Sequence, residues 1–371
     1  MTSTQQRELY RVEQLPVFQN RMYESSQTAL DCPKGDVVLV QDLRTGLIHN
    51  AAFRPELMVY DQFYQNEQAL SSMFQRHLND VVELIRPHFG GLRLLEIGCG
   101  KGHFLEQLHG QGFEIIGLDP TYEGANPNII KEYFNVDSGV QVEAIVLRHV
   151  LEHIQDPVSF LMSIKEANQG RGLIYIEVPC FDWICENRTW FDVFYEHVNY
   201  FRLDDFRRIF GDIRELGRTF GGQYLSVVAN LESLTIPTIG NADQFVFPAN
   251  FLDSVDVFCK RYRSSQGSSG NSVPSPLTVW GGASKGVIFS LFMARAGLPV
   301  SCVIDINPGK QHKFLAATGI QVMPPEVAFE QLPAGSDIVV MNHNYLAEIK
   351  QLVNGRFNCL TVDCSATKTK V

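Results

Sequence analysis

A glycine-rich turn carries the clearest chemistry in this sequence. The stretch LLEIGCGKGHFLEQL reads as a buried strand, a tight turn and then a helix. Three glycines at alternate positions form the turn: Gly98, Gly100 and Gly102. Glycines permit a sharp bend and let a ligand approach the backbone, as in nucleotide-binding turns. Glu96 precedes the turn and Asp119 ends the next strand, where a carboxylate suits ribose hydroxyls. A plain strand-to-helix turn is the alternative.

An acid and a histidine adjoin one another in the aromatic stretch WFDVFYEHVNYFRLDDF, residues 190–206. An imidazole with a pKa of about 6.5 suits proton abstraction at neutral pH, so His197 is the candidate general base. Glu196 could orient that imidazole or bind a substrate hydroxyl. Both residues also have a structural interpretation, the histidine in a capped loop and the glutamate as a helix cap or surface residue.

Two further histidines, His149 and His153, lie four residues apart near a strand–helix junction. This spacing is compatible with metal ligation, but no third ligand follows at a useful spacing, so the sequence predicts no metal. Arg148 beside them could contact either a substrate or a cofactor. The paired cysteines Cys180 and Cys185 lack an evident base and are expected to be buried packing residues.

Alternating strands and helices must position these residues. From Leu92 to Leu231, short apolar runs separated by helical segments predict a parallel, helix-covered sheet. A second block runs from the strand LTVWGG to the strand CLTVDC and predicts a smaller Rossmann-like unit. Before the first block, VVLVQD and GLIHNAAF read as two strands, and residues from about Ser71 to His88 read as a helix.

These elements predict an α/β protein in four segments. Residues 1–78 form a small N-terminal α+β cap, and residues 79–231 form the first α/β unit. Residues 232–272 are a connection with one helix and a Gly/Ser/Pro-rich linker. Residues 273–371 form the second α/β unit.

Composition narrows the class of protein. The 371 residues carry a net charge of −10, with 45% hydrophobic and 19% charged residues, which excludes collagen, coiled coil and general disorder. The acidic balance argues against nucleic acid as a partner. The eight cysteines form no C-x-x-C pair, and the sequence shows neither an apolar signal core nor a membrane-length apolar run. We expect a cytoplasmic protein with reduced thiols, no membrane partner and a small-molecule substrate.

The form E-x-G-C-G-x-G with its acidic strand closely resembles the S-adenosylmethionine (SAM) motif of class I methyltransferases, and LRHVLEHIQDP resembles their fourth-strand region. The resemblance implies a Rossmann-like sheet and SAM as the cofactor. The cofactor-binding residues that it implies are Glu96, Gly98, Cys99, Gly100, Gly102, Asp119, Pro120, Arg148 and His149. An NAD(P) oxidoreductase, which also uses a glycine loop and an acid, is the rival interpretation.

Roughly residues 80–371 resemble the sugar C-methyltransferases, which act on nucleotide-linked 4-keto-deoxysugars. The resemblance lies in E-H-x-x-Y-F, in VWGGASKGVIFSLF and in the run D-I-N-P-x-K-Q-x-x-x-L-x-x-T-G. It implies that a base forms an enolate, which then attacks the methyl group. The implied catalytic residues are His197, Glu196, Tyr195 and Tyr200, and the implied substrate-binding residues are Tyr64, Gly222, Lys285 and Asp305.

The sequence departs from that family twice. Phe194 stands where the family usually has a tyrosine, so Tyr64, Tyr195 or Tyr200 would have to substitute. The family's N-terminal domain usually holds zinc with four cysteines, whereas this region has only Cys32. One thiol cannot complete a tetrahedral set, so we predict no zinc.

Several alternatives stay open at this point. The same scaffold could methylate an oxygen or a nitrogen of another small metabolite, or it could bind SAM in a regulatory protein without catalysis. The turn that contains Lys285 could bind a nucleotide diphosphate, or the second unit could only buttress the first. Gly222 could bring the backbone close to a substrate or simply form a tight turn. The sequence leaves the oligomeric state unknown.

Overall fold

A computed structural model describes residues 6–58, 70–136, 141–240, 244–266 and 277–362. Tyr64, one of the predicted substrate-binding residues, and most of the predicted Gly/Ser/Pro-rich linker lie outside these residues. Within the described ranges, the helices are too short or too polar to span a bilayer. The seven cysteines in this part of the chain are free thiols.

An antiparallel three-stranded sheet forms the N-terminal unit. Its strands are β1 (Gln6–Pro16), β3 (Lys34–Asp42) and β4 (Ile48–Asn50). β3 lies in the middle and pairs with both others. The two-residue strand β2 (Met22–Tyr23) and helix α1 (Ser26–Leu30) lie between β1 and β3. The strands predicted from VVLVQD and GLIHNAAF correspond to β3 and β4. β1 was not predicted, because its charged residues leave few apolar positions.

Helix α2 (Ser72–Phe89) joins this unit to the next one. Its N-cap Ser71 accepts hydrogen bonds from the backbone of Met73 and Phe74, and the helix ends before Gly90. Its apolar face, which includes Leu78 and Ile85, packs in one cluster with the strands of the first α/β unit. The predicted domain boundary after residue 78 therefore falls inside a helix that belongs entirely to the following unit.

The first α/β unit is a seven-stranded sheet. Its strands are β5 (Arg93–Ile97), β6 (Glu114–Leu118), β7 (Ile129–Ile130), β8 (Ala144–Arg148), β9 (Leu173–Pro179), β10 (Ile213–Thr219) and β11 (Tyr224–Asn230). The spatial order is β10-β11-β9-β8-β5-β6-β7, with all pairs parallel except those made by β11. The helices are α3 (His103–Gly110), α4 (Pro157–Ala167), α5 (Phe181–Asn187) and α6 (Leu203–Ile209).

The second α/β unit is a fully parallel sheet. Its strands are β12 (Leu277–Trp280), β13 (Val300–Ile304), β15 (Val322–Met323), β16 (Asp337–Val340) and β17 (Asn358–Thr361), in the order β15-β13-β12-β16-β17. The helices are α7 (Asp253–Gln266), α8 (Ser284–Arg295), α9 (Pro325–Gln331) and α10 (Leu346–Val353). Two Rossmann-like units with a small N-terminal α+β region confirm the predicted fold class.

Contacts between the units build the walls of the site. Strand β14 (Phe314–Leu315) pairs with β2, and the Ser26 hydroxyl donates a hydrogen bond to the carbonyl of Gly319. The end of the D-I-N-P run therefore packs against the N-terminal unit. On the other side, the Ser71 hydroxyl donates to the Glu348 carboxylate over 2.8 Å. Both contacts hold the second α/β unit over the carboxyl edge of the first sheet.

Candidate active site

A cavity of about 400 Å³ lies between the two α/β units. Parallel strands end at one edge of a sheet, so the loops after β5, β8 and β12 meet here. The wall includes Gly98 and Gly100 of the glycine turn, Glu196 and His197 of the aromatic loop, and Lys285 of the second unit. Motifs that are more than 180 residues apart in sequence therefore share one cavity.

The glycine turn has the backbone geometry that the sequence predicts. Gly98 has φ 74°, and a Cβ there would lie 2.5 Å from a methyl group of Val150. Gly100 has φ 56°, and a Cβ there would meet no atom within 4 Å, so open space faces its backbone. Asp119 lies outside the cavity wall, and its carboxylate accepts hydrogen bonds from the backbone N–H groups of Gly100 and Thr121. Asp119 thus shapes the turn that a ligand approaches.

Glu96 is the most unusual acid of the site. Its side chain lines the cavity and only 3% of the residue is exposed, and its Oε2 atom is buried without a hydrogen-bond partner among the described residues. Burial raises the pKa of Glu96 to about 7, with a smaller increase from Asp119 and an opposing effect of Arg148. A buried carboxylate without a partner is costly, so a cationic or hydrogen-bonding ligand group fits beside it.

Glu177 on β9 is the centre of a buried charge network. Its carboxylate lies 2.7 Å from Nη2 of Arg148, 3.2 Å from Nε2 of His149 and 3.1 Å from Nε2 of His77, and it accepts a hydrogen bond from Tyr175. Burial opposes ionisation, yet Arg148 and the two histidines hold the pKa of Glu177 well below its usual range. The network fixes the end of β8, where the predicted Arg148 and His149 line the cavity.

His149 is held between two carboxylates. Its Nδ1 lies 3.3 Å from Glu152 and its Nε2 lies 3.2 Å from Glu177. Although burial lowers the pKa, these two acids raise the pKa of His149 to about 9. The imidazolium therefore serves as a fixed positive charge at neutral pH and not as a proton acceptor.

His197 faces the cavity among other rings. Its centroid lies 5.1 Å from that of His153 and 4.9 Å from that of Phe194. Burial and the neighbouring His153 lower the pKa of His197 to about 3, so the imidazole is neutral at neutral pH. Beside it, Glu196 is 2% exposed and accepts a hydrogen bond from the backbone N–H of Gln19 over 2.6 Å. Glu196 thus ties the loop to the N-terminal unit.

The two tyrosines predicted to be catalytic lie away from the cavity, which corrects the prediction. The Tyr195 hydroxyl accepts a hydrogen bond from the backbone N–H of Arg54, and its ring packs against Gly35. The Tyr200 hydroxyl donates to the carbonyl of Phe194 over 2.8 Å and accepts from its N–H over 3.0 Å. Both tyrosines lie outside the cavity wall, and their hydroxyls bond to backbone groups and anchor the loop, while His197 lines the cavity.

The predicted substrate residues divide into two groups. Lys285 and Asp305 line the cavity, whereas Gly222 lies outside its wall. Lys285 is already paired, because its Nζ lies 2.9 Å from Asp192 and donates to Gln223 over 2.9 Å. Asp305 accepts a hydrogen bond from the backbone N–H of Gly282 over 2.8 Å. Gly222 has φ 87° and lies against the Trp183 ring, which itself lines the cavity.

The cofactor residues also divide into two groups. Among the predicted set, the cavity wall includes Glu96, Gly98, Cys99, Gly100, Arg148 and His149. Gly102 caps helix α3 with φ 82°, and it lies outside the cavity wall, as do Asp119 and Pro120. Sequence reasoning missed several wall residues: Glu152, His153, Asp192, Gln223, Tyr224 and Tyr345. Of these, Glu152, His153 and Asp192 lie in stretches that the sequence had singled out.

Comparison with known proteins finds a match for part of the chain. Residues 61–213 match the family model of a methyltransferase domain. Most of this match falls in the first α/β unit, and the fold of that unit is that of the class I SAM-dependent methyltransferases. SAM is the cofactor of this class, and its positively charged amino group fits the unpaired buried carboxylate of Glu96, while the open backbone at Gly100 allows a close approach.

The relatives cover only part of the protein. A ubiquinone biosynthesis O-methyltransferase of Ruegeria sp. (strain TM1040) is 31% identical over 100 residues, covering 23% of this chain and 40% of that protein. Another of that name from Bradyrhizobium diazoefficiens is 25% identical, covering 41% of this chain and 57% of that protein. The chain thus spans about half the length of these curated relatives. A SAM-dependent methyltransferase structure from Mesorhizobium loti covers 43% of this chain and 98% of that chain at 15% identity, with a TM-score of 0.33.

Proposed function

We propose that this protein transfers the methyl group of SAM to a small molecule bound between its two α/β units. One observation carries the proposal: the glycine turn, His197 and the Lys285 turn line a single cavity of about 400 Å³. That volume lies within the range of small-molecule sites. SAM supplies a methyl group on a sulfonium, and the remaining task of the protein is to make a substrate atom nucleophilic beside it.

For the substrate we propose a nucleotide-linked keto-deoxysugar, methylated at carbon. The E-H-x-x-Y-F stretch and the Lys-Gly turn motivate this choice, since both contribute to the cavity wall. The C–H bond next to the ketone would break, its electron pair would form the enolate, and the proton would pass to the neutral imidazole of His197. The enolate carbon would then bond to the methyl group while the carbon–sulfur pair returns to sulfur. Because the pKa of His197 is about 3, this base requires a strongly acidified proton.

The second unit would hold the diphosphate. Ser284, Lys285 and Gly286 open the twelve-residue helix α8, and all three line the cavity. Backbone N–H groups at a helix N-terminus attract anions. Lys285 already neutralises Asp192, so the phosphate would have to share this cation with a carboxylate.

Incubation with SAM and a panel of nucleotide 4-keto-sugars tests this function. We expect S-adenosylhomocysteine with a matching sugar, and we expect His197→Gln to lower turnover by about a hundredfold or more. His109→Gln, which changes an exposed histidine on α3, is the matched control and is expected to keep wild-type turnover. Deuterium exchange at the carbon next to the ketone, measured without SAM, reports the proton abstraction by itself. Full turnover in His197→Gln would exclude this histidine from the chemistry.

A second candidate is O-methylation of another small metabolite. The names of the relatives favour it, since those relatives are O-methyltransferases of ubiquinone biosynthesis. In this case His197 would accept the proton of a substrate hydroxyl group and not that of a carbon. NMR of the product separates the two functions, because a new C–CH3 signal supports the first and a methoxy signal supports the second.

A further inference from the structure

Three side chains meet at one end of the cavity, beyond the residues used so far. Glu152 and His153 belong to a short helical turn after β8, and His197 comes from the aromatic loop. One ligand atom from each of the three lies within 4.8 Å of the others. The backbone locks the two segments together, since the N–H groups of Val198 and Asn199 both donate to the carbonyl of Glu152.

Each of the three side chains has a lone pair to offer. Nδ1 of His153 lies 2.9 Å from the carbonyl oxygen of Glu196, so it carries the proton and leaves Nε2 as an acceptor. Oε1 of Glu152 contacts His149, while its Oε2 is buried without a partner among the described residues and only 1% of the residue is exposed. His197 lines the cavity beside them, and an imidazole nitrogen that carries no proton offers a lone pair to a cation.

We propose that Glu152, His153 and His197 bind a divalent metal cation. Two imidazoles and one carboxylate suit borderline cations such as Zn²⁺, Mn²⁺, Co²⁺ and Fe²⁺. Three protein ligands leave coordination positions free, and all three residues line the cavity, so the free positions face the substrate. The carbonyl of Glu196 orients His153, as is usual for a histidine that binds a metal.

The role of the cation rests on the proposed methyl transfer, whereas its binding does not. A substrate oxygen bound to the cation would lose its proton more easily, or would be stabilised as an enolate. For a hydroxyl substrate, the O–H bond would break with its proton passing to water. The oxygen lone pair would form the new bond to the methyl carbon while the carbon–sulfur bonding pair returns to sulfur. With a cation present, the lone pair of His197 serves the metal, so in the enolate route the carbon-bound proton would pass to water in place of His197.

The sequence prediction of no metal rested on the pair His149 and His153. The structure instead uses His149 to neutralise Glu152 and Glu177, and the third ligand comes from a separate loop. Two of the proposed ligands, Glu152 and His153, are adjacent in the chain, and the third, His197, lies in a distant loop. This spacing matches no sequence pattern from which a metal site could be predicted.

Titration of chelator-treated protein with Mn²⁺ and Co²⁺ tests the site without any turnover. We expect one equivalent of Mn²⁺ to lose its free-ion electron paramagnetic resonance signal, and Co²⁺ to show d–d absorption of a nitrogen-ligated ion. His153→Gln and His197→Gln should each weaken binding at least about tenfold. His109→Gln serves as the matched control and should bind like the wild type. Glu152→Gln removes the charge at nearly constant volume and should weaken binding as well.

The outcomes separate this inference from the proposed function. Absence of Mn²⁺ and Co²⁺ binding to the wild type, or equal binding by wild type, His153→Gln and His197→Gln, would overturn the metal site. Thermal unfolding and SAM binding, measured on the same variants, show whether each variant is folded. Undiminished methyl transfer after removal of the cation would overturn its role and leave the proposed function intact. A protein that binds the cation but forms no S-adenosylhomocysteine with any substrate would refute the proposed function alone.

Discussion

At the scale of single residues, Glu96 decides how the cofactor cavity responds to pH. Its buried, unpartnered carboxylate has a pKa of about 7 and becomes ionised as the pH rises through that value. The ionised form binds a positively charged amino group, so SAM affinity should increase between about pH 6 and about pH 8. Glu96→Gln should weaken binding by about tenfold at the upper pH and remove this dependence. Isothermal titration calorimetry at several pH values measures both effects.

The same carboxyl group should give the free energy of unfolding, measured without SAM, the opposite dependence on pH. Because its pKa is raised in the folded state, its contribution is fully present below about pH 4.5 and is lost as the pH rises through about 7. Glu114→Gln, an exposed glutamate on the neighbouring strand β6, is the control and should leave SAM affinity unchanged. A SAM affinity that stays constant with pH in the wild-type protein would contradict the assignment of Glu96.

At the scale of elements, two glycines with nearly equal φ angles allow backbone strain to be measured separately from side-chain packing. Gly112 has φ 89° and open space where a Cβ would lie, whereas at Gly222, with φ 87°, a Cβ would lie 2.9 Å from the Trp183 ring. Gly112→Ala should cost about 1 kcal/mol for the left-handed backbone alone. Gly222→Ala should cost at least about 1 kcal/mol more, because the new methyl group displaces Trp183 from the cavity wall.

Chemical denaturation of both variants measures the two free energies of unfolding. Tryptophan fluorescence of the folded proteins reports the Trp183 environment, which should change only in Gly222→Ala. Equal destabilisation by the two substitutions would mean that the turn after β10 contributes backbone geometry and no packing to the cavity.

At the scale of the whole molecule, an ion pair joins the two α/β units across the cavity. Lys285 lies 2.9 Å from Asp192, with side chains that are 20% and 9% exposed. A largely buried pair leaves an uncompensated charge when one partner is removed. Lys285→Met and Asp192→Asn should therefore each destabilise the protein, and the double variant should be more stable than additivity predicts, by about 1 kcal/mol or more.

Urea denaturation of the four proteins in this cycle measures the coupling. Lys313 and Glu24 form a comparison pair, since they are also 2.9 Å apart and join the second unit to the N-terminal unit, but with side chains 29% and 69% exposed. Their coupling should stay below about 1 kcal/mol, because solvent screens exposed charges. Additive effects of Lys285→Met and Asp192→Asn would show that the pair does not hold the units together.

Neighbouring residues in the chain were enough to predict the local features. Alternating apolar strands and helices predicted the parallel strands of both sheets, since a buried parallel strand leaves a continuous apolar run in the chain. The glycine turn and Glu96 were predicted for the same reason, because a tight turn after a strand depends on residues that adjoin one another. The predicted boundary after residue 78 falls inside helix α2. The residues of a helix do not by themselves show whether it packs on the unit before it or on the unit after it.

The set of side chains that share the cavity depends on tertiary packing and could not be read from the chain. Tyr195, Tyr200 and His197 look alike as candidates in one aromatic loop, and the direction of each side chain follows from packing against Arg54, Phe194 and His153. Glu177 pairs with His77 from a helix 100 residues earlier, and Lys285 pairs with Asp192 from another unit. Burial and distant charges set the pKa values of such groups, and neither is encoded by the neighbouring residues in the chain.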